Sequence, residues 1–246
     1  VTDDHLLGGR IRLAQPERGY RAAIDPVLLA ASIQAGAEER ILDAGCGTGA
    51  AALCLAARLP GCRLTGVELD PDLAALARAN AMANGCEARL AVVEDSFDSF
   101  ASANRGTFDQ VMSNPPFHQD GRHTRSPRAT RAAAHGEGGI DLAGWVKASA
   151  MALKAGGRLT LIHRADRMGD IMAALQGRFG AAAILPLWPK AGVEAKRILV
   201  SAIKGRRTLP RLLPGLVLHE VGGGYTCEAE AILRDAVPLD LGQSSA

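Results

Sequence analysis

Ile41-Leu42-Asp43-Ala44-Gly45-Cys46-Gly47-Thr48-Gly49 decides the fold: a short apolar run ends in a carboxylate and passes straight into three alternating glycines. The apolar run reads as a buried strand at 40–44, and the alanine-rich stretch at 49–59 reads as the helix that follows it. At such a turn glycines let the backbone approach a ligand, and the first turn of the helix offers unpaired N–H groups to a negative one. A nucleotide-type ligand follows. Gly45-x-Gly47-x-x-Ala50 also satisfies a dinucleotide fingerprint, with Glu68 at about the right distance to bind a ribose. The glycines alone do not separate the two readings.

Outward from this turn, short apolar runs alternate with amphipathic stretches. Strands are expected at about 40–44, 63–68, 88–94, 107–113, 157–163, 182–188 and 195–204. Helices are expected at about 49–59, 71–84, 96–103, 140–155 and 167–179. Strands that alternate with helices predict an α/β fold: a seven-stranded, mostly parallel, doubly wound sheet covered on both faces. Trp188-Pro189-Lys190-Ala191-Gly192 leaves no room for a crossover helix, so the last two strands should pair antiparallel. The chain divides into residues 1–35, 36–204 and 205–246: a core domain with short N- and C-terminal additions. In the first, Gly8-Gly9 suits a hairpin turn and Pro26 opens a helix capped by Asp25. The tail reads as a loop, a strand and a short helix.

Three strand ends choose among the cofactors. Asp43 would repel pyrophosphate but pairs well with a cation such as the amino group of S-adenosylmethionine. Glu68, beside Leu69, can take both ribose hydroxyls, while Asp70 caps the helix begun by Pro71. In Val92-Val93-Glu94-Asp95-Ser96 a carboxylate can accept a hydrogen bond from an adenine amino group, with Glu94 the more solvated of the two acids. The three together describe an adenosine that carries an amino acid, held at the carboxyl edge of the sheet. In these motifs residues 38–204 resemble the class I S-adenosylmethionine-dependent methyltransferases, with a Rossmann-like fold. The resemblance implies that the loop of Gly45, Gly47 and Gly49 with Asp43 holds the methionine end, Glu68 and Leu69 the ribose, and Asp95 and Ser96 the adenine, with Asn114 also among the cofactor-binding residues.

Asn114-Pro115-Pro116-Phe117 follows the strand Phe108-Asp109-Gln110-Val111-Met112-Ser113. Neither proline has an N–H to continue a ladder, and the residue before a proline is driven to extended geometry. The result is a rigid turn presenting the Asn114 amide and nearby carbonyls. The nitrogen of an exocyclic amine is a poor nucleophile, because its lone pair is delocalised into the ring. The Asn114 side-chain oxygen and the Pro115 carbonyl can accept the two amine hydrogens and aim that lone pair, while Phe117 stacks on the ring. The motif is similar to the NPP(Y/F/W) signature of methyltransferases acting on adenine, cytosine or glutamine nitrogens, with Phe117 in place of the commoner tyrosine.

Gly121 to His135 holds Arg122, Arg125, Arg128 and Arg131 with no acid, a basic loop able to contact RNA phosphates. Arg206, Arg207 and Arg211 are expected to extend the same surface. Leu7-Gly8-Gly9-Arg10, Gln15-Pro16, Gly19-Tyr20-Arg21, Asp25-Pro26-Val27-Leu28-Leu29-Ala30-Ala31 and Leu213-Pro214-Gly215-Leu216-Val217-Leu218-His219-Glu220 extend the likeness to the bacterial valine-tRNA adenine methyltransferase family. That resemblance implies methylation of the adenine 6-amino group next to the anticodon of a tRNA, and an N-terminal segment near Tyr20, Arg21 and Asp25 that closes over the cofactor. The rivals are a protein glutamine methyltransferase, a noncatalytic RNA-binding protein and a nicotinamide-dependent oxidoreductase. The first usually carries a separate N-terminal recognition domain, and only about 35 residues precede the core here. The oxidoreductase has no use for Asn114-Pro115-Pro116-Phe117.

Composition excludes several other classes. In 246 residues, 48% hydrophobic and 22% charged, the longest uncharged run, Ala44 to Ala57, is too short to cross a bilayer. The acidic first residues lack the pattern of a secretion signal, so a cytoplasmic protein is expected. Five cysteines without CxxC spacing suggest buried thiols, with neither disulfides nor a metal site.

Overall fold

The computed structural model describes residues 1–17, 21–116 and 140–242. Strand β3 (Arg40–Ala44) is apolar on both faces, and the two faces bury into different cores. Ile41 joins one with Leu28, Leu29, Leu53 and Leu55, whereas Leu42 and Ala44 join another with Phe97, Trp145 and Val146. A strand buried twice needs helices above and below, which is why the sheet is doubly wound. Before it come the hairpin strands β1 (Thr2–Leu6) and β2 (Ile11–Gln15) and helix α1 (Asp25–Ser32). After it come α2 (Ala50–Arg58), β4 (Arg63–Glu68), α3 (Pro71–Ala83), β5 (Leu90–Glu94), α4 (Phe97–Ala103) and β6 (Phe108–Ser113). Then follow α5 (Leu142–Ala152), β7 (Leu153–Arg164), α6 (Met168–Leu175), β8 (Phe179–Trp188) and β9 (Arg197–Lys204). The tail adds β10 (Arg211–Leu212), β11 (Leu216–Val217) and α7 (Cys227–Asp235).

The main sheet runs β10-β8-β9-β7-β6-β3-β4-β5, with β11 also pairing β8. Strands β3 to β7 are mutually parallel, and β9 lies antiparallel between β7 and β8, as the short turn after Trp188 requires. The strand order reverses at β3, which has β4 on one side and β6 on the other. That reversal opens a crevice at the carboxyl ends of β3 and β6. The tail corrects the sequence reading: two short parallel strands added to β8 bring the sheet to nine strands. Each is only two residues long, too short for a period-2 signal.

The hairpin turns through Leu7–Gly9, where Gly8 and Gly9 take φ of 64° and 95°. The edge of β2 that β1 leaves unpaired is then satisfied by side chains. Asn80 of α3 accepts from Ala14 N at 2.9 Å and donates to Ala14 O at 3.0 Å, while Asn84, one turn on, accepts from Arg12 N at 3.0 Å and donates to Arg12 O at 2.7 Å. Two asparagines thus act as a surrogate strand for β2, and Asn80 also holds Thr48 O of the glycine loop at 2.9 Å.

Two further expectations are corrected. Asp25 does not cap α1: it lies inside the first turn and its Oδ2 accepts from Arg197 Nε at 3.0 Å. A cation 172 residues away wins over the local N–H groups, and sequence spacing cannot reveal it. Of the five thiols, Cys46, Cys54, Cys62 and Cys86 are buried but Cys227, in the first turn of α7, is exposed.

Candidate functional site

Register brings the motifs to one edge. Asp43 is level with Gly66 on β4 and Met112 on β6, Ala44 with Val67 and Ser113, and Glu68 with Glu94. The residues that follow these strand ends, Gly45 to Gly49, Asp95 and Asn114, therefore share the crevice rim. Gly45, Gly47 and Gly49 all take positive φ, at 68°, 56° and 85°. A side chain at Gly45 would sit 3.1 Å from the Trp145 ring, whereas nothing lies within 4 Å of the same point on Gly47. The loop is backed by an indole on one side and open on the other, as a ligand cradle must be.

Glu68 grips that loop. One carboxylate oxygen accepts from Gly47 N at 2.8 Å and the other from Asp70 N at 2.9 Å, so the side chain is fixed beside the open face. Asp70 caps α3, accepting from Asp72 N at 2.9 Å and Leu73 N at 3.2 Å, as its position before Pro71 leads one to expect. Leu69 is exposed at the rim. Asp95 N donates to Glu68 O at 3.1 Å, its carboxylate accepts from Ser96 N at 2.7 Å, and Ser96 caps α4 through Ser99 N. Glu94 is exposed and stands 3.9 Å from Arg78.

Asp43 is only 3% exposed, and its side chain accepts from Ala52 N at 3.2 Å. Burial is the main cause that pushes its carboxyl up to about 7; the Ala52 bond lowers it and the neighbouring Glu68 charge raises it further. A buried carboxylate with so little compensation gains from a cationic ligand group beside it.

Asn114 is half-buried, Pro115 buried and Pro116 exposed. Phe117 and the arginines Arg122, Arg125, Arg128 and Arg131, with Tyr20, lie outside the described residues. Arg21 bonds Asp4 of β1 at 2.5 Å, which ties it to the hairpin, and Asp25 is held by Arg197. Arg206 and Arg207 do not extend the surface at Asn114. They follow β9, which runs against its neighbours, and so sit at the opposite edge of the sheet. Arg211 lies on the outermost strand, bonded to Gly242 O.

One residue was not anticipated. Trp145 Nε1 donates to Ser113 Oγ at 3.0 Å, and Ser113 Oγ donates to Ala44 O at 2.6 Å. The indole also packs on Phe97, with ring centroids 5.1 Å apart. A single side chain thereby touches the glycine loop, the residue after Ser96 and the strand residue before Asn114. The only sequence signal is a tryptophan, one of two, on the buried face of an alanine-rich helix.

A parallel sheet with a glycine turn and three carboxylates at its switch point defines the class I methyltransferase architecture. The sequence profile of the methyltransferase small domain family matches residues 23–186. The chain belongs to that family, and its methyl donor is S-adenosylmethionine. It is 32% identical over 229 residues to a tRNA1(Val) (adenine(37)-N6)-methyltransferase from Porphyromonas gingivalis, covering 89% of each chain. It is 42% identical to a release factor glutamine methyltransferase from Chlorobaculum tepidum, but over 92 residues, 37% of this chain and 31% of that one. Among solved structures, a predicted O-methyltransferase from Agrobacterium tumefaciens superimposes with a TM-score of 0.74 at 27% identity, over 88% of this chain and 98% of that one.

The site fits the cofactor on two observations: the sparsely compensated carboxyl of Asp43 suits its amino group, and the open face over Gly47 leaves room beside Glu68. Among the described residues no cluster of three or more His, Cys, Asp or Glu side chains is placed to hold a metal, and no helix is long and apolar enough to cross a membrane.

Proposed function

We propose that this chain methylates the exocyclic 6-amino nitrogen of an adenine in RNA, specifically in tRNA, and does so in the cytoplasm. The observation that carries the reading is the register of β3 with β6, which sets Asn114 on the strand next to the glycine loop at the same rim. The name of the relative that matches across almost the whole chain points to tRNA adenine, whereas the glutamine methyltransferase shares only a core segment.

When bound, the cofactor supplies an electrophilic methyl group on a cationic sulfur. Asp43 would hold its amino group, with Gly45, Gly47 and Gly49 around the methionine end, Glu68 and Leu69 at the ribose, and Asp95 and Ser96 at the adenine. Arg21 and Asp25 would complete the set from the N-terminal segment. On the substrate side, the Asn114 side-chain oxygen and the Pro115 carbonyl would each accept one amine hydrogen. These bonds draw the nitrogen lone pair out of conjugation and fix its direction, so catalysis rests on positioning and on dipoles set in advance. Pro115 and Pro116 keep the turn rigid and offer no competing N–H. Phe117 would stack on the base, and Arg122, Arg125, Arg128 and Arg131 would bind phosphates around an unstacked nucleotide.

Transfer of label from tritiated S-adenosylmethionine into tRNA, read as 6-methyladenosine in digested nucleosides, tests the proposal. Asn114→Ala should lower kcat by at least about a hundredfold while cofactor affinity changes less than about threefold, because the lost contacts are made to the amine. Label in a glutamine side chain or on a ribose oxygen, with none in adenine, would overturn it.

A further inference from the structure

The edge of the sheet opposite the crevice gathers cations under four neighbouring strands. Arg178 precedes β8, Lys204 ends β9 with Arg206 and Arg207 following, and Arg105 precedes β6. Backbone bonds hold these segments together: Gly205 N donates to Arg178 O at 2.8 Å, Ala181 N to Thr208 O at 3.0 Å, and Gly106 N to Met151 O at 2.9 Å. Lys204 Nζ reaches Leu153 O at 2.7 Å, at the start of β7. The segment that carries Arg206 lies flat on β8, since a side chain at Gly180 would come within 2.3 Å of Arg206 O. Two glycines, Gly180 and the positive-φ Gly205, make this close seat possible.

The acids nearby are already engaged. Asp109 takes Lys154 Nζ at 2.5 Å and Arg40 N at 2.9 Å, and Glu39 takes Gln110 Nε2 at 2.8 Å. Arg105, Arg178, Arg206 and Arg207 are exposed, and none has a carboxylate partner among the described residues. Burial, and then the Arg105 charge, hold the Lys204 ammonium below its usual range. Unpaired guanidinium groups on a rigid base suit a polyanion, because each fork can take two phosphate oxygens.

Adjacent strands lie about 4.8 Å apart, so β8, β9, β7 and β6 spread these charges over roughly 15 Å. Strand β6 alone is six residues, about 20 Å at 3.3 Å per residue, so a nucleotide at Asn114 cannot also touch Arg105. When one RNA reaches both edges, the phosphates at the lower edge come from a different part of it than the nucleotide at Asn114. Resting on the RNA reading above, we propose that Arg105, Arg178, Arg206 and Arg207 form a second phosphate-binding surface, which docks the body of the tRNA remote from the methylated loop.

The test compares the full chain with its Arg178→Glu/Arg206→Glu/Arg207→Glu variant on full-length tRNA and on the isolated anticodon stem-loop. With full-length tRNA, KM should rise at least about tenfold at unchanged kcat, and the slope of log affinity against log salt should become shallower by about two to three. With the stem-loop both parameters should stay within twofold. Unchanged KM and salt slope on full-length tRNA would overturn the proposal, as would equal losses on the two RNAs. Loss of binding to phosphatidylserine vesicles with RNA binding intact would also overturn it, assigning the surface to membranes. An Arg→Gln triple variant, expected to give a smaller change of the same sign, serves if the Glu variant fails to fold. If the wild-type chain methylates no adenine the catalytic reading fails, yet the salt slope of RNA binding still decides the surface.

Discussion

Asp43 is where sequence chemistry and burial meet. Folding moves its carboxyl from 3.8 to about 7, chiefly by burial. Between these values the unfolded chain holds it ionised and the folded chain holds it protonated, so folding takes up a proton. Its contribution to stability therefore falls as pH rises through that window and levels off above about 7. Asp43→Asn should make the cofactor-free protein more stable at pH 8, on the order of 2 kcal/mol in chemical denaturation, and remove the advantage at pH 4. A pairing role also needs the ionised form. Calorimetric affinity for S-adenosylmethionine should drop by up to about tenfold per pH unit below 7, and Asp43→Asn should flatten that dependence. Asp43 and Glu68 stood out in the sequence as candidates because each is a carboxylate at a strand end close to glycines, and the register brings both to one rim. Trp145 did not, because its partner Ser113 is 32 residues away and meets it only across packed elements. Trp145→Phe keeps most of the ring but drops the hydrogen bond. It should cost about 1–2 kcal/mol and lower kcat more than cofactor affinity, measured by denaturation and steady-state kinetics, and Ser113→Ala should not add fully to it.

Elements divide into those with a local signal and those fixed from a distance. Strands β3 and β4 fall where their apolar runs predict, and α3 begins at Asp70-Pro71 because cap and proline both act within one turn. Asp25-Pro26 carries a similar local signal and misleads, since Arg197 captures the carboxylate instead. The hairpin shows the converse case. Its turn was legible from Gly8-Gly9, but its docking depends on Asn80 and Asn84, whose spacing on a helix says nothing of the strand they satisfy. Asn80→Ala would leave Ala14 N, Ala14 O and Thr48 O short of a partner and should destabilise the chain by about 2–3 kcal/mol. Amide hydrogen exchange at Ala14 and Arg12 should accelerate well before global unfolding; retained protection would show that apolar packing alone holds the hairpin.

Across the whole molecule, the two additions and the core share one apolar cluster. Leu7, Ile11 and Leu13 of the hairpin, Leu28 and Leu29 of α1, and Ile232, Leu233 and Leu241 of the tail bury together, and Leu239 N donates to Ala31 O at 2.9 Å. The parts are divisible in sequence but not in packing. A chain ending at Lys204 would expose the face of α1 and the outer edge of β8, two features that favour aggregation. It should lose cooperative thermal unfolding and bind a hydrophobic dye, whereas a tail that merely decorates the core could be removed without either effect.

The sequence by itself determined the alternation of strands and helices, the sheet with its one reversed strand, the glycine turn with its acids, and the asparagine beside paired prolines. These are local facts, because apolar period, turn chemistry and residue type act over a few neighbours. Only the tertiary structure decided that Arg197 takes Asp25, that Trp145 bridges the strand ends, that β10 and β11 lengthen the sheet, and that Arg206 and Arg207 face away from Asn114. Each of these depends on which distant segments lie side by side, and on the direction in which a strand runs, which no local pattern encodes.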